Sequence, residues 1–98
     1  MITADEVKKR LAQHRRELEA LGVSSLELFG SLVRGVNNAG SDIDLLVRFE
    51  RPVSLFVFYE VEEYLEKLFD TDRIDLVMRE AVFEELRDGI YSEAVPCL

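Results

Sequence analysis

The chain has 98 residues, 48% of them hydrophobic and 33% charged, the composition of one soluble folded domain, residues 1–98, and not of a disordered or membrane-spanning chain. Its net charge of −8 argues against direct polynucleotide binding, which needs clustered Lys and Arg. The single cysteine, Cys97, permits no internal disulfide or thiolate cluster, and neither a signal-peptide core nor a run of about 18 apolar residues occurs, so a cytoplasmic setting away from membranes is expected.

In chain order, Thr3-Ala4-Asp5-Glu6 reads as a capping box, in which Thr3 and Glu6 satisfy each other's amides. Val7, Leu11, His14, Leu18 and Leu21 then recur at helical spacing, which predicts a helix over 4–21 ended by Gly22. Residues 26–29 alternate and end at Gly30, and 43–49 form an apolar run broken at Asp44 and Arg48; both suit strands. Between them lies a corner holding Gly30, Gly35 and Gly40. Ser54 caps a second long helix that runs through Phe69, with Val57, Val61, Leu65 and Leu68 on one stripe. The turn Asp70-Thr71-Asp72 leads to a third strand over 74–78, then a helix over 80–87 ending at Gly89, and the tail 94–98 suits an edge strand that tolerates Pro96. The expected architecture is α/β (α+β): a small mixed sheet of three to four strands packed with helices.

Three pieces of this pattern carry chemistry. Ten residues separate Ser31 from Asp42, and strand alternation should project Asp42 and Asp44 from one face with Ile43 on the other. Two carboxylates so close raise each other's pKa, and burial adds to this, so a positive partner is expected between them. Asp75 repeats the pattern between Ile74 and Leu76; if its strand lies beside the second, three carboxylates converge. Hard oxygen donors without His or Cys select Mg²⁺ or Mn²⁺, and paired ions about 4 Å apart can clamp the attacking and leaving oxygens of a phosphoryl group. Gly30 lets the backbone approach a phosphate, to which Ser31 and the amides of a following helical turn would donate.

Gly30-Ser31-Leu32-Val33-Arg34-Gly35, then Ser41-Asp42-Ile43-Asp44-Leu45-Leu46-Val47, then Ile74-Asp75-Leu76-Val77 resemble the minimal nucleotidyltransferases of the polymerase-beta-like superfamily. The resemblance implies that fold, with Asp42 and Asp44 as catalytic ligands of two Mg²⁺ ions and Asp75 as the third carboxylate, a ligand of the ion that positions the attacking hydroxyl and a candidate acceptor of its proton. It implies Gly30, Ser31 and Arg34 as the phosphate site of ATP or another nucleoside triphosphate. It also implies a HEPN-domain toxin as partner, neutralised by AMP placed on a tyrosine. The sequence departs from the pattern at Leu32, where many relatives carry arginine, which leaves Arg34 as the cation of the corner. The alternative is a non-catalytic subunit that keeps the fold and acts by binding.

Other residues read more plainly. His14 falls on an apolar stripe and suits packing, Cys97 has no base near it in sequence, and Asp70 and Asp72 belong to turn chemistry. Phe56 and Tyr59 lie on the arc with Glu60, Glu63 and Lys67, consistent with either a partner surface or local packing.

Overall fold

The computed structural model describes residues 2–35 and 42–98; Gly40 and Ser41 lie outside them. Helix α1 (Ala4–Gln13) opens as its sequence demands, with the Thr3 hydroxyl accepting the Glu6 amide at 3.2 Å, the Thr3 half of the expected box. The single helix expected over 4–21 is two. His14 leaves helical geometry at φ −112, its amide reaching only three residues back to Leu11, and α2 (Arg15–Ala20) restarts beyond it. At the break the His14 ring meets the Tyr64 hydroxyl at 2.8 Å, so it is a packed histidine joined to the fourth helix. The break keeps Leu11 and Leu18 both fully buried.

Strand β1 (Val23–Phe29) starts earlier than the alternation of 26–29 suggests. Ser24 and Ser25 hide its first residues from a pattern reading because a bulge between Val23 and Ser25 shifts the register. The four-residue helix α3 (Ser31–Arg34) follows, then β2 (Ile43–Phe49), α4 (Leu55–Phe69) capped by Ser54, and β3 (Ile74–Met78). Asp70 ends α4 in the left-handed region at φ 51, as expected of a turn aspartate.

The strands form one mixed sheet in the order β3-β2-β1-β4, with β4 (Val95–Pro96) as the edge strand anticipated for the tail. Strands β1 and β2 are antiparallel, whereas β2 and β3 run parallel with α4 as the crossover between them. On one side of the sheet Leu26, Leu28, Ile43, Leu45, Val47 and Leu76 join Val7, Leu11 and Leu18 of the first two helices and Val61, Leu65 and Phe69 of α4 in a single core. Alternation sends Phe29, Asp44, Leu46, Asp75 and Val77 to the opposite side, where Leu46 is fully buried.

The segment after β3 covers part of that second side. A helix is expected over 80–87, but the structure has a 3₁₀ turn at Arg79–Ala81 and then α5 (Glu84–Glu93), which passes through Gly89. Long-range contacts explain the difference. Arg79 pairs with Glu27 at 2.7 Å and lies 3.9 Å from the Tyr91 ring centre, while the Tyr91 hydroxyl donates to the Arg79 carbonyl. These contacts hold α5 helical beyond a glycine that would otherwise end it. A Cβ at Gly89 would meet nothing within 4 Å, so Gly89→Ala is expected to raise unfolding stability by about 0.5–1 kcal/mol in a urea titration. Among the described residues no helix is long and apolar enough to cross a membrane.

Candidate active site

The site forms where β1 ends and β2 and β3 begin. Antiparallel register pairs Phe29 with Asp44, so Gly30 passes directly over the Asp44 side chain. Gly30 has φ 83 and ψ −154, a conformation open only to glycine, and a Cβ there would overlap the Asp44 carboxylate. Gly30 caps α3, which carries Ser31 as its first residue, Arg34 in its last turn, and Gly35 as a left-handed stop. Leu32, the departure from the family pattern, is 4% exposed and belongs to the core. The Leu32 side chain thus packs inward, and Arg34 is the cation that α3 carries.

Asp44 and Asp75 are register partners on the two parallel strands, which sets their side chains next to each other on one face of the sheet. Burial first, then the neighbouring charges of Asp75 and Asp42, push the Asp44 pKa up from 3.8 to about 6, with Arg34 offsetting part of the rise. Asp42 precedes Asp44 by two positions and belongs to the same electrostatic cluster, but its Oδ1 accepts from Arg73 Nε at 3.1 Å. The expected convergence is therefore partial. Asp44 and Asp75 meet, Asp42 is turned aside by Arg73, and among the described residues no three acidic or imidazole groups form a ready-made metal cage.

The donor set still fits a hard cation. A carboxylate whose ionisation is opposed by burial and by two neighbouring carboxylates would be relieved by Mg²⁺, and the half-exposed Asp42 side chain is free to rotate from its surface ion pair.

Two features of the site are not evident from the sequence spacing. Glu93, at the end of α5, accepts the Gly30 amide at 2.9 Å and both of its oxygens contact Arg34 Nη1, at 3.2 and 3.1 Å. Phe29, Val77, Phe83, Leu86 and Ile90 line a cavity of about 260 Å³ that Asp75 borders. The apolar residues of α5, three and four apart, carry an amphipathic signal that could have revealed the groove; only the strand register could have revealed Glu93. Cys97 is buried against the Val95 carbonyl, and burial pushes its thiol pKa up, in keeping with an inert residue.

A glycine-serine corner beside paired strand carboxylates, on a mixed sheet backed by helices, defines a nucleotidyltransferase. The chain belongs to the nucleotidyltransferase domain family, whose model matches residues 8–96, and it is a nucleotidyltransferase; enzymes of this family generally depend on a divalent metal. It is 42% identical over 96 residues to the protein adenylyltransferase MntA of Thermococcus cleftensis, covering 97% of this chain and 96% of that protein. It also resembles a solved structure assigned to the minimal nucleotidyltransferases, with a TM-score of 0.81, 28% identity, and coverage of 97% and 96% of the two chains. A complex of tri-AMPylated Shewanella oneidensis HEPN toxin with its MNT antitoxin shares the fold, at a TM-score of 0.65 and 18% identity over 93% of this chain and 71% of that one.

Proposed function

We propose that this chain is a metal-dependent protein adenylyltransferase that moves AMP from ATP onto a tyrosine of a HEPN-domain toxin, and so acts as its antitoxin. The observation that carries the reading is the in-register Asp44–Asp75 pair beside the Gly30–Ser31 corner. The name of the Thermococcus relative and the modified toxin in the Shewanella complex support the protein acceptor.

In this reading Asp42, Asp44 and Asp75 hold Mg²⁺, two ions being the expected count, with Mn²⁺ as a substitute. Bound there, the metal offsets the negative charge that develops on the phosphates. The Ser31 hydroxyl, the first amides of α3 and Arg34 bind the terminal phosphates. The tyrosine oxygen attacks the α-phosphorus in line, forming a new phosphorus–oxygen bond. The bond from that phosphorus to the bridging oxygen breaks, and pyrophosphate leaves with the bond's electrons. Asp75, on the more open of the two carboxylate strands, takes the hydroxyl proton.

The groove beside Asp75 favours an aromatic acceptor over serine. Its apolar walls accept a ring while Asp75 meets the hydroxyl. The net charge of −8 suits a basic partner surface, and Phe56 and Tyr59, 82% and 56% exposed on α4, offer it aromatic contacts. A cytoplasmic setting, where ATP is present and Cys97 stays reduced, completes the reading.

The test is protection of cells that express the toxin. Asp42→Asn is expected to bind the toxin yet protect poorly, and replacing the modified tyrosine by phenylalanine should abolish labelling from ATP carrying a labelled α-phosphate. Full protection by Asp42→Asn, with no labelled tyrosine in the parent pair, would establish the alternative of a binding antitoxin.

A further inference from the structure

We propose that Glu93 is a positioning residue for the nucleotide corner, holding Arg34 and the Gly30 backbone in the arrangement that receives phosphate. The proposal rests on the nucleotidyl-transfer reading and adds to it a residue from the far end of the chain.

The strand register leads there. Strand β4 pairs Val95 with Leu28, and the same antiparallel step carried two residues onward sets Glu93 beside Gly30. At that point the side chain replaces the backbone as partner, and the Gly30 amide donates to Glu93 Oε1 at 2.9 Å. The same carboxylate takes Arg34 Nη1 on both oxygens, at 3.2 and 3.1 Å. One side chain thus joins the end of β1, the last turn of α3 and the end of α5. The Glu93 side chain is 26% exposed and Arg34 56%, so the carboxylate is the anchor and the guanidinium is the group being held.

A carboxylate in an anion corner has a second reading, in which it occupies the phosphate's own seat. The contacts favour positioning. Glu93 takes the amide of Gly30, the capping residue, and not those of Ser31 and Leu32 that open α3. It engages a single guanidinium nitrogen of Arg34, and a planar guanidinium can serve two oxyanions from different edges. Arg34 sits on a four-residue helix that ends at Gly35, where a long side chain left untethered would lose rotamer freedom on binding nucleotide. Glu93 removes that cost in advance.

Titration calorimetry of Mg-ATP on the full chain tests this. Glu93→Ala is expected to weaken binding about tenfold, and Glu93→Gln, which retains an oxygen for the Gly30 amide, by less. In an Arg34→Ala background the Glu93→Ala change should cost clearly less than in the parent, since the part that acts through Arg34 is already lost and only the hold on the Gly30 amide remains. Tighter binding by Glu93→Gln would overturn the proposal in favour of competition with phosphate, and equal losses in both backgrounds would reduce Glu93 to a structural contact. Unchanged binding by Glu93→Ala beside a parent that binds would overturn the positioning role alone. A parent that binds no Mg-ATP would overturn the nucleotide reading and this proposal together.

Discussion

Asp44→Asn is expected to lower nucleotidyl transfer by about three orders of magnitude or more while making the metal-free protein more stable at neutral pH. Asparagine keeps the shape of the side chain and removes the charge that, in the proposed mechanism, would hold the cation. The stability gain follows from the raised Asp44 pKa, about 6 in the folded chain against an ordinary 3.8. The folded state holds this proton more tightly than the unfolded state does. Ionising Asp44 therefore costs nothing below about pH 4, a growing amount between pH 4 and 6, and its full amount above pH 6. Asp44 is only partly buried, so solvent screening limits the cost to about 1–2 kcal/mol at pH 7, or about 5–10 °C in Tm for a domain of this size. Thermal melts from pH 4 to 8 should show the variant's advantage appear as pH rises. Mg²⁺ should narrow the gap by stabilising the parent. A variant less stable than the parent at pH 7 would make Asp44 a structural residue.

Gly30→Ala is expected to be the most damaging of the glycine-to-alanine changes among the described residues. It combines a φ of 83, which side chains rarely adopt, with overlap between the new Cβ and the Asp44 carboxylate. The backbone has little room to yield, and the Asp44 carboxylate can yield only by swinging away from its place. The Gly30 amide is held by Glu93, and Asp44 lies in a strand between β1 and β3. A loss of about 3–4 kcal/mol in urea unfolding is expected, with transfer lost even where the fold survives, because Asp44 is pushed from Asp75. Gly35→Ala supplies the control. Its φ is 74 but a Cβ would meet nothing within 4 Å, so only the backbone strain of about 1–2 kcal/mol applies.

The parts of the site that depend on local chemistry are legible in the sequence. Asp44 and Asp75 interrupt apolar strands where propensity asks for aliphatic residues, and the Gly30-Ser31 pair sits where a strand must turn. Alternation placed Asp42 and Asp44 together, and the strands 43–49 and 74–78 appear as expected. What escaped depends on contacts distant in sequence. The break at His14 goes with a bond to Tyr64, fifty positions away, and α5 runs past Gly89 because Arg79 and Tyr91 hold it. Asp42 turns to Arg73, a residue that spacing alone does not bring near it. Glu93 reaches Gly30 only through the pairing of the edge strand with β1.

Intact-mass and peptide mass spectrometry of the chain purified with a HEPN-domain partner and incubated with Mg-ATP separates transfer from mere binding. The partner is expected to gain AMP on a tyrosine with the parent chain, and to gain none with Asp42→Asn although the complex persists. A partner that stays unmodified in a stable complex with the parent chain, its toxicity suppressed all the same, would contradict this expectation.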